Sequence, residues 1–522
     1  MLVSLLILLL MFLYASCVGG WLVLSFSGDL VKNNCFVLHY SNPDNFLMVL
    51  MLVICSVIAV SYVFHYVSIN QDSVALALLM VVFVSVMMFL VLSNSLLLSL
   101  FMWEYLGLIS YILVCYYDSC TSLRGALVTL FSSRFGDVGL FILLAYYILG
   151  GGSSVVIILC VGLIIFTKSA CFPFISWLLE AMRAPTPVSS LVHSSTLVAA
   201  GAWFLSNYSG FLVLDSNLFV YLVVLISMLT LLVSGICIMV CQDVKQIVAL
   251  STCNNISWVV LMIINGEVNV ALVQLIVHGV SKCLLFTVIG DYIGANSGGQ
   301  MLKQMHFGVW SNFSKVIFVS VLLLSLSGFP FIGLYFSKHA FLSEVFLNGT
   351  VNLVILFFLW VSLIFSMAYC VRLFNILCGW SVYSVVGIYS FYSLLWFIPI
   401  ISTVIGNSAI AGLDMTGSFS LGGSLMVVVS LVLGIVLGCI CSWETATSIW
   451  FRELMGCNYL VFFVESVVVW LNNFIGLVIF RWEVYLLWTV RSVINIDYYD
   501  FDNMLKLYSL VIGLVLLWCF LI

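Results

Sequence analysis

The sequence predicts an all-α polytopic membrane protein, and three observations carry that fold class. Only 7% of the residues are charged while 65% are hydrophobic, too few charges to solvate the surface of a soluble domain of this length. Mean hydropathy is +1.30, and the apolar residues fall into about 15 runs of membrane-spanning length. Two of those runs are interrupted by proline.

Taken in order, the N-terminal region (1–73) holds apolar runs at 1–27 and 46–68. Between them "NNCFVLHYSNPDN" is too short and polar to span and alternates like a small extramembrane hairpin. A first core region (74–207) contains runs at 74–92, 94–117, 123–149, 153–183 with a break, and 187–207. A second (216–376) contains 216–240, 244–264, 268–294, 315–340 with a break, and 351–376. Further runs follow at 388–405 and 421–441, and a last one at 506–522. Short links such as Cys241–Gln246 predict antiparallel neighbours in a compact bundle. "LGGGSS" (Leu149–Ser154) is a loop without the strand and helix that a phosphate cradle needs.

The region 446–500 differs, with Arg452, Glu453, Glu465, Arg481, Glu483 and Arg491 set among aromatic and aliphatic residues. As one helix it would extend about 75 Å, against a hydrocarbon core of about 30 Å. The alternative is two spans with Glu465 buried.

A net charge of −5 and the lack of a basic tract argue against a nucleic-acid partner. The 17 cysteines show no CxxC spacing and lie mostly in apolar runs, as buried free thiols do. The first run has no basic flank before it and reads as a retained helix. Phe, Val, Leu, Gly, Trp and Cys, encodable by T- and G-rich codons, are plentiful, whereas Pro, His, Gln and Thr are sparse. A biased mitochondrial genome would give that balance, and membrane insertion alone would give much of it.

"KSACFPFISWLLEAMRAPTPVSSLVHSS" (168–195) holds three of the six prolines together with Lys168, Glu180, Arg183 and His193. Proline inside a helix removes one hydrogen bond and frees carbonyls that lipid cannot satisfy, so such breaks persist only against protein or water. Pro173 and Pro330 mark the two breaks, with Lys168 before the first and Lys338 after the second. Paired broken helices in corresponding halves are the mark of a repeat-built transporter. Two incidental kinks are the plain alternative.

Ionisable residues at membrane depth demand partners or water. Glu104, in "FMWEYLGLISYILV", reads as a proton-relay carboxylate or as half of a structural ion pair. Lys168 closes an apolar run; burial disfavours the charged form of a lysine and a nearby carboxylate favours it, so the pair makes a proton switch. Snorkelling to the interface is its alternative. His278 and Lys282 share a helical face, a spacing that lets imidazole and ammonium hand protons along it. His193 has polar neighbours fit to hold water, or is a hydrogen-bonded core residue. Asp137 and Arg134, three apart, predict a local ion pair, as do Glu180 and Arg183; Arg372 near a run's end reads as a snorkelling anchor.

The stretch 168–201 resembles the signature of the antiporter-like membrane subunits of respiratory complex I. "LSLSGFPFIGLYFSKH", "HGVSKCLLF", "QDVKQIVALSTCNNISW" and "SRFGDVG" point to the chain 5 branch of that family, and the resemblance covers roughly residues 74–376. It implies two inverted repeats, a long lateral amphipathic helix and a final anchoring span. It implies a proton pathway through Glu104, Lys168, His193, His278, Lys282 and Lys338, with Asp137 in coupling to a neighbouring subunit. It implies partners among the membrane-arm subunits of the complex, especially adjacent antiporter-like ones, within the mitochondrial inner membrane. NADH, FMN, iron–sulfur clusters and ubiquinone would then belong to partner subunits, none being bound by this chain. The alternative is an Mrp-type cation/proton antiporter subunit, which shares the core. Three departures stand out: one N-terminal helix of the usual set is missing, Gln274 stands where relatives carry a histidine, and His339 follows Lys338 where an acidic residue is usual.

Overall fold

The computed structural model describes residues 43–67, 71–93, 95–149, 154–212, 217–295, 298–300, 313–330, 332–347, 353–377, 421–443 and 458–494. The expected spans at 1–27, 388–405 and 506–522 lie outside them, as does the count of N-terminal helices.

Helices α1 (Pro43–Tyr66), α2 (Gln71–Leu92), α3 (Leu96–Val114) and α4 (Cys120–Leu149) pack in succession. The expected hairpin is corrected at its end: Pro43–Asn45 form the first turn of α1, because proline's fixed φ suits a helix start where its missing N–H costs nothing. The rest of that hairpin lies outside the described residues. α5 (Ser154–Lys168) stops at the first break and α6 (Ser176–Ala181) resumes after it. A short turn (Thr186–Val188) and a π-helical stretch (Ser189–Thr196) then lead into α7 (Leu197–Leu212). α8 (Asn217–Val240), α9 (Val244–Ile264) and α10 (Val268–Ala295) follow. The second break separates α11 (Phe313–Ser327) from α12 (Tyr335–Leu347); α13 (Leu353–Leu377) and α14 (Leu421–Trp443) pack on each other beyond it. Among the described residues ten helices are long and apolar enough to cross a membrane.

α9 is buried throughout apart from Gln246, and α10 from Val270 to Gly290, so the polar side chains of those stretches sit inside the bundle. Exposed Leu, Val and Phe on α2, α4, α8 and α14 turn outward, as a lipid-facing ring requires.

Both breaks satisfy the carbonyls they free. At the first, the Trp177 indole donates to the Thr167 carbonyl at 2.8 Å. At the second, the Ser366 hydroxyl of α13 donates to the Ser327 carbonyl at 3.1 Å, and Leu334 N–H returns to Ser325 O. Gly328 and Gly333 take left-handed φ of 81° and 54°, which lets the chain reverse between α11 and α12.

Arg372 is no snorkelling anchor. It is buried, and its guanidinium donates to the carbonyls of Ile238 and, at 2.8 Å, Cys241. Those carbonyls close α8, where a helix has acceptors left over and a negative pole that favours a cation.

Residues 458–522 form a separate unit. Its described part is one continuous helix, α15 (Asn458–Ile494), of 37 residues and about 55 Å. Residues 446–457 and 495–500 of the expected long helix lie outside the description.

α14 meets α13 through Gly434 and Gly438, spaced four apart, where small residues let backbones approach. A Cβ at Gly438 would lie 2.6 Å from the Ala368 carbonyl oxygen. Gly438→Val is therefore expected to destabilise the bundle by about 1–3 kcal/mol, as overpacking does. Thermal melting of the purified protein checks this, with Gly476→Val, whose Cβ meets nothing within 4 Å, as the silent control.

Candidate functional site: a buried row of titratable groups

The row begins where α3, α4 and α5 meet. Arg134 of α4 stands between two carboxylates, ion-paired to Glu104 of α3 and 3.3 Å from Asp137. Glu104 is therefore no lone carboxylate. Its Oε1 and the Oδ1 of Asp137 are nevertheless buried without a hydrogen-bond partner. The expected Arg134–Asp137 and Arg183–Glu180 pairs are both present, the latter at 2.9 Å.

Lys168, the last residue of α5, is 1% exposed, and its ammonium has no hydrogen-bond partner. It lies 5.2 Å from the centroid of the Trp103 ring, the residue before Glu104. A Cβ on Gly107 would approach its Nζ to 3.9 Å, so Lys168 reaches α3 one turn from Glu104. Asp137 and Glu104 are the carboxylates that face it.

His193 continues the row. A cavity with room for about one water is lined by Ser110, Thr129, Ser133, Lys168, Trp177 and His193. His193 is buried with neither ring nitrogen bonded, 6.3 Å ring to ring from Trp177. Local chemistry permits its π-helical setting. Pro185 and Pro187 deny the first turn two N–H donors, and hydroxyls bond back onto the chain: Ser190 to Pro187 O, Ser195 to Leu191 O, and Thr196 to Leu191 O across five residues. Wide turns of this kind recur at functional sites.

The second half of the row runs along α10. His278 is buried with Nε2 unpartnered, and Lys282 one turn later donates to Ser251 Oγ and, at 3.4 Å, to Val248 O of α9. Its ammonium also lies 5.5 Å from the Tyr369 ring centroid. Gln274, one turn before His278, donates to Asn255 O at 3.4 Å, leaving its own Oε1 buried and unpartnered. Lys338, in the first turn of α12, is 2% exposed with an unpartnered Nζ 5.7 Å from the Trp258 centroid. Gly328 makes room for it: a Cβ there would meet Lys338 Nζ at 3.7 Å. The His339 ring instead packs tilted against Tyr335 at 5.2 Å between centroids, so adjacent residues of α12 have different neighbours.

The structure thus gathers Glu104, Asp137, Lys168 and His193 in one cluster and His278, Lys282 and Lys338 in another, with Gln274 beside the second and His339 apart from it. Sequence reasoning missed Arg134 as the partner of Glu104, since a three-residue spacing advertises only the local pair. It also missed Lys245, buried in the first turn of α9 and donating to Ala184 O at 3.2 Å, and Asn254, whose amide is buried without a partner. The signal for both was their place in "QDVKQIVALSTCNNISW", polar residues inside an otherwise apolar helix. Among the described residues no cluster of His, Cys, Asp and Glu could hold a metal ion.

Residues 93–366 match the family described as NADH:quinone oxidoreductase/Mrp antiporter, transmembrane. Relatives named NADH-ubiquinone oxidoreductase chain 5 include that of Apis mellifera ligustica, 35% identical over 55% of this chain and 52% of its own length. That of Locusta migratoria is 29% identical over 87% of this chain and 79% of its own; that of Caenorhabditis elegans is 33% identical over 64% of each. The match thus spans about half the length of some of these relatives and more of others. Among solved structures, a chain of the Mrp complex from Dietzia sp. superposes with a TM-score of 0.71 at 20% identity, over 95% of this chain and 57% of that one. A chain of respiratory complex I from Thermus thermophilus gives 0.67 at 15% identity, over 84% and 94%. With a family match over more than half its length and a fold shared with both complexes, the chain belongs to the NADH:quinone oxidoreductase/Mrp antiporter transmembrane family.

Proposed function

We propose that this chain is a proton-translocating membrane-arm subunit of NADH:ubiquinone oxidoreductase, working in the mitochondrial inner membrane beside other antiporter-like subunits. The observation that carries the reading is the buried row itself: Lys168, His193, His278 and Lys338 all present unpartnered nitrogens at the centre of an apolar bundle. Unpaired buried polar groups are costly, and a purely structural bundle would replace them with aliphatic ones. Groups that must gain and lose protons cannot be so replaced. The names of the relatives favour this reading over an Mrp-type antiporter subunit, which shares the family.

In this mechanism Glu104 is shared between Arg134 and Lys168. Coulomb attraction between an ammonium and a carboxylate strengthens as water is excluded. A shift of Glu104 toward Arg134 therefore loosens the hold on the Lys168 proton, and a shift back restores it. His193 receives that proton through a water in the intervening cavity, His278 and Lys282 pass it along one face of α10, and Lys338 releases it beyond the second break. NADH, FMN, iron–sulfur clusters and ubiquinone belong to partner subunits, whose electron transfer drives the carboxylate shift. α15, with apolar side chains exposed from Val467 to Trp488, serves as the lateral helix that meets partners and lipid.

Glu104→Gln removes the charge but keeps the shape. It is expected to lower proton translocation per electron by roughly tenfold or more while the complex still assembles, in keeping with loss of a positioned proton-transfer group. Near-normal translocation in the assembled variant would sink the mechanism.

Because Lys338 and His339 face different surroundings, Lys338→Ala should abolish most translocation and His339→Ala should have a mild, pH-dependent effect. Equal loss from both across the pH range would make His339 an obligatory relay.

If α15 is a lateral helix, single cysteines at its two ends should react with a membrane-impermeant maleimide from the same side. Ends that label from opposite sides around a protected middle would make it a span.

A further inference from the structure

A second group of titratable side chains, outside the row above, joins α1 to α10. Asp291 lies on α10 nine residues beyond Lys282, about 13 Å along the axis. Its Oδ1 accepts a hydrogen bond from Tyr62 Oη at 3.0 Å, and His65 Nε2 lies 3.4 Å from the same oxygen. The carboxylate is nearly enclosed at 9% exposure, whereas the His65 side chain is 34% exposed and stands at the end of α1. One partner is thus partly exposed at the end of α1 and the other nearly enclosed.

The contact continues inward. Gly290 has no room for a side chain: a Cβ there would lie 2.7 Å from Thr186 Oγ1 and would also collide with Tyr62 Oη. The phenol and the threonine hydroxyl therefore converge on the backbone beside Asp291. Thr186 opens the segment whose buried serines and His193 form the π-helical stretch, and Ser189 Oγ donates back to Thr186 O at 2.9 Å. That stretch packs directly on α10. Tyr66, 5.9 Å from Tyr62 ring to ring, is the further titratable neighbour on α1.

We propose that Asp291, with His65 and Tyr62, is a proton access site connecting the aqueous surface to the π-helical segment that carries His193. A proton taken up from water by the His65 imidazole passes to the Asp291 carboxylate. It leaves as Asp291 protonates the Tyr62 oxygen while Tyr62 gives its own proton to the Thr186 oxygen, and Thr186 passes its own on toward the His193 imidazole, the final acceptor. Tyr62 and Thr186 end unchanged, Asp291 is again a carboxylate and His65 again neutral. The inference rests on the proton-translocating reading of the chain and adds to it an access route that the row above does not contain. A tie that merely holds α1 against α10 is the competing role, and it needs an acceptor at position 291 but no titratable one.

That difference sets the test, made with the purified assembly reconstituted in vesicles. Asp291→Asn retains an oxygen to accept from Tyr62 but cannot carry a proton. It is expected to lower proton translocation per electron several-fold at an unchanged melting temperature, with Asp291→Glu restoring it. Tyr62→Phe, which keeps the ring packed and removes only the hydroxyl, should show the same loss, and it decides the matter should the Asn variant fail to assemble. Wild-type translocation in an assembled Asp291→Asn or Tyr62→Phe variant would overturn the proposal. Lys282→Ala, measured alongside, separates the two levels: wild-type translocation there would mean that the proton-translocating reading itself is wrong. Loss in Lys282→Ala with full translocation in Asp291→Asn overturns the access site alone.

Discussion

The arrangement depends on one constraint: a helix can be broken inside a membrane only where protein takes over the hydrogen bonds that the break releases. The Trp177 indole and the Ser366 hydroxyl do this at the two breaks. With those carbonyls satisfied, α5 and α12 can end at depth, and the lysines beside their ends can lie within the bundle instead of reaching for its surface. The helices that carry the polar side chains between the breaks, α9, α10 and the stretch 186–208, are the ones buried over 18 consecutive residues. The closest backbone approaches follow from the same demand, since small residues such as Gly434 and Gly438 compensate for a bundle that cannot rely on the hydrophobic effect in lipid.

The two halves solve the problem of a buried cation differently. In the first, Lys168 faces Glu104 and Asp137, and Arg134 competes for both carboxylates. Four charged groups of one cluster can therefore exchange partners without any leaving the protein. In the second, among the described residues neither Lys282 nor Lys338 makes an ion pair; Lys282 has a hydroxyl, a carbonyl oxygen and the Tyr369 ring beside it, and Lys338 the Trp258 ring. Such surroundings tolerate both the ammonium and the neutral amine, because an aromatic face attracts a cation without demanding one. A carboxylate-rich half suits a site that is switched, and a carboxylate-poor half suits a site through which charge passes.

Much of this was legible in the sequence because the chemistry is local. Pro173 and Pro330 marked both breaks, and apolar runs bounded by polar residues placed α9 at 244–264, as observed. The four-residue spacing of Gln274, His278 and Lys282 put them on one face of α10. What escaped was everything that depends on which helices touch. Arg134 lies three residues from Asp137 and thirty from Glu104, and nothing in the chain says that α3 brings the distant carboxylate nearer. Arg372 read as a surface anchor because a lone arginine near a helix end usually is one; only the docking of α13 on α8 shows the carbonyls it serves. The π-helical stretch was hidden for another reason. Hydroxyls widen a helix only when the neighbouring helices leave room, so "PTPVSSLVHSST" is compatible with an ordinary turn as well.

The lysines fall on opposite sides of their breaks, which weakened the symmetry in the sequence and acquires a physical meaning in the structure. Lys168 ends α5, at the carbonyl pole of a half-helix, while Lys338 occupies the first turn of α12, at the N–H pole. A carbonyl pole attracts an ammonium and an N–H pole repels one, an effect confined to about one turn and strongest where water is scarce. Two otherwise similar buried lysines are therefore unequal stations. The first sits where a positive charge is welcome and is dislodged by moving a carboxylate. The second sits where a positive charge is unwelcome, and in the proposed pathway that position favours release without a carboxylate at 339. On the proposed reading, a histidine at position 339, whose ring packs tilted against Tyr335, is compatible with release because the helix end itself disfavours the charge on Lys338.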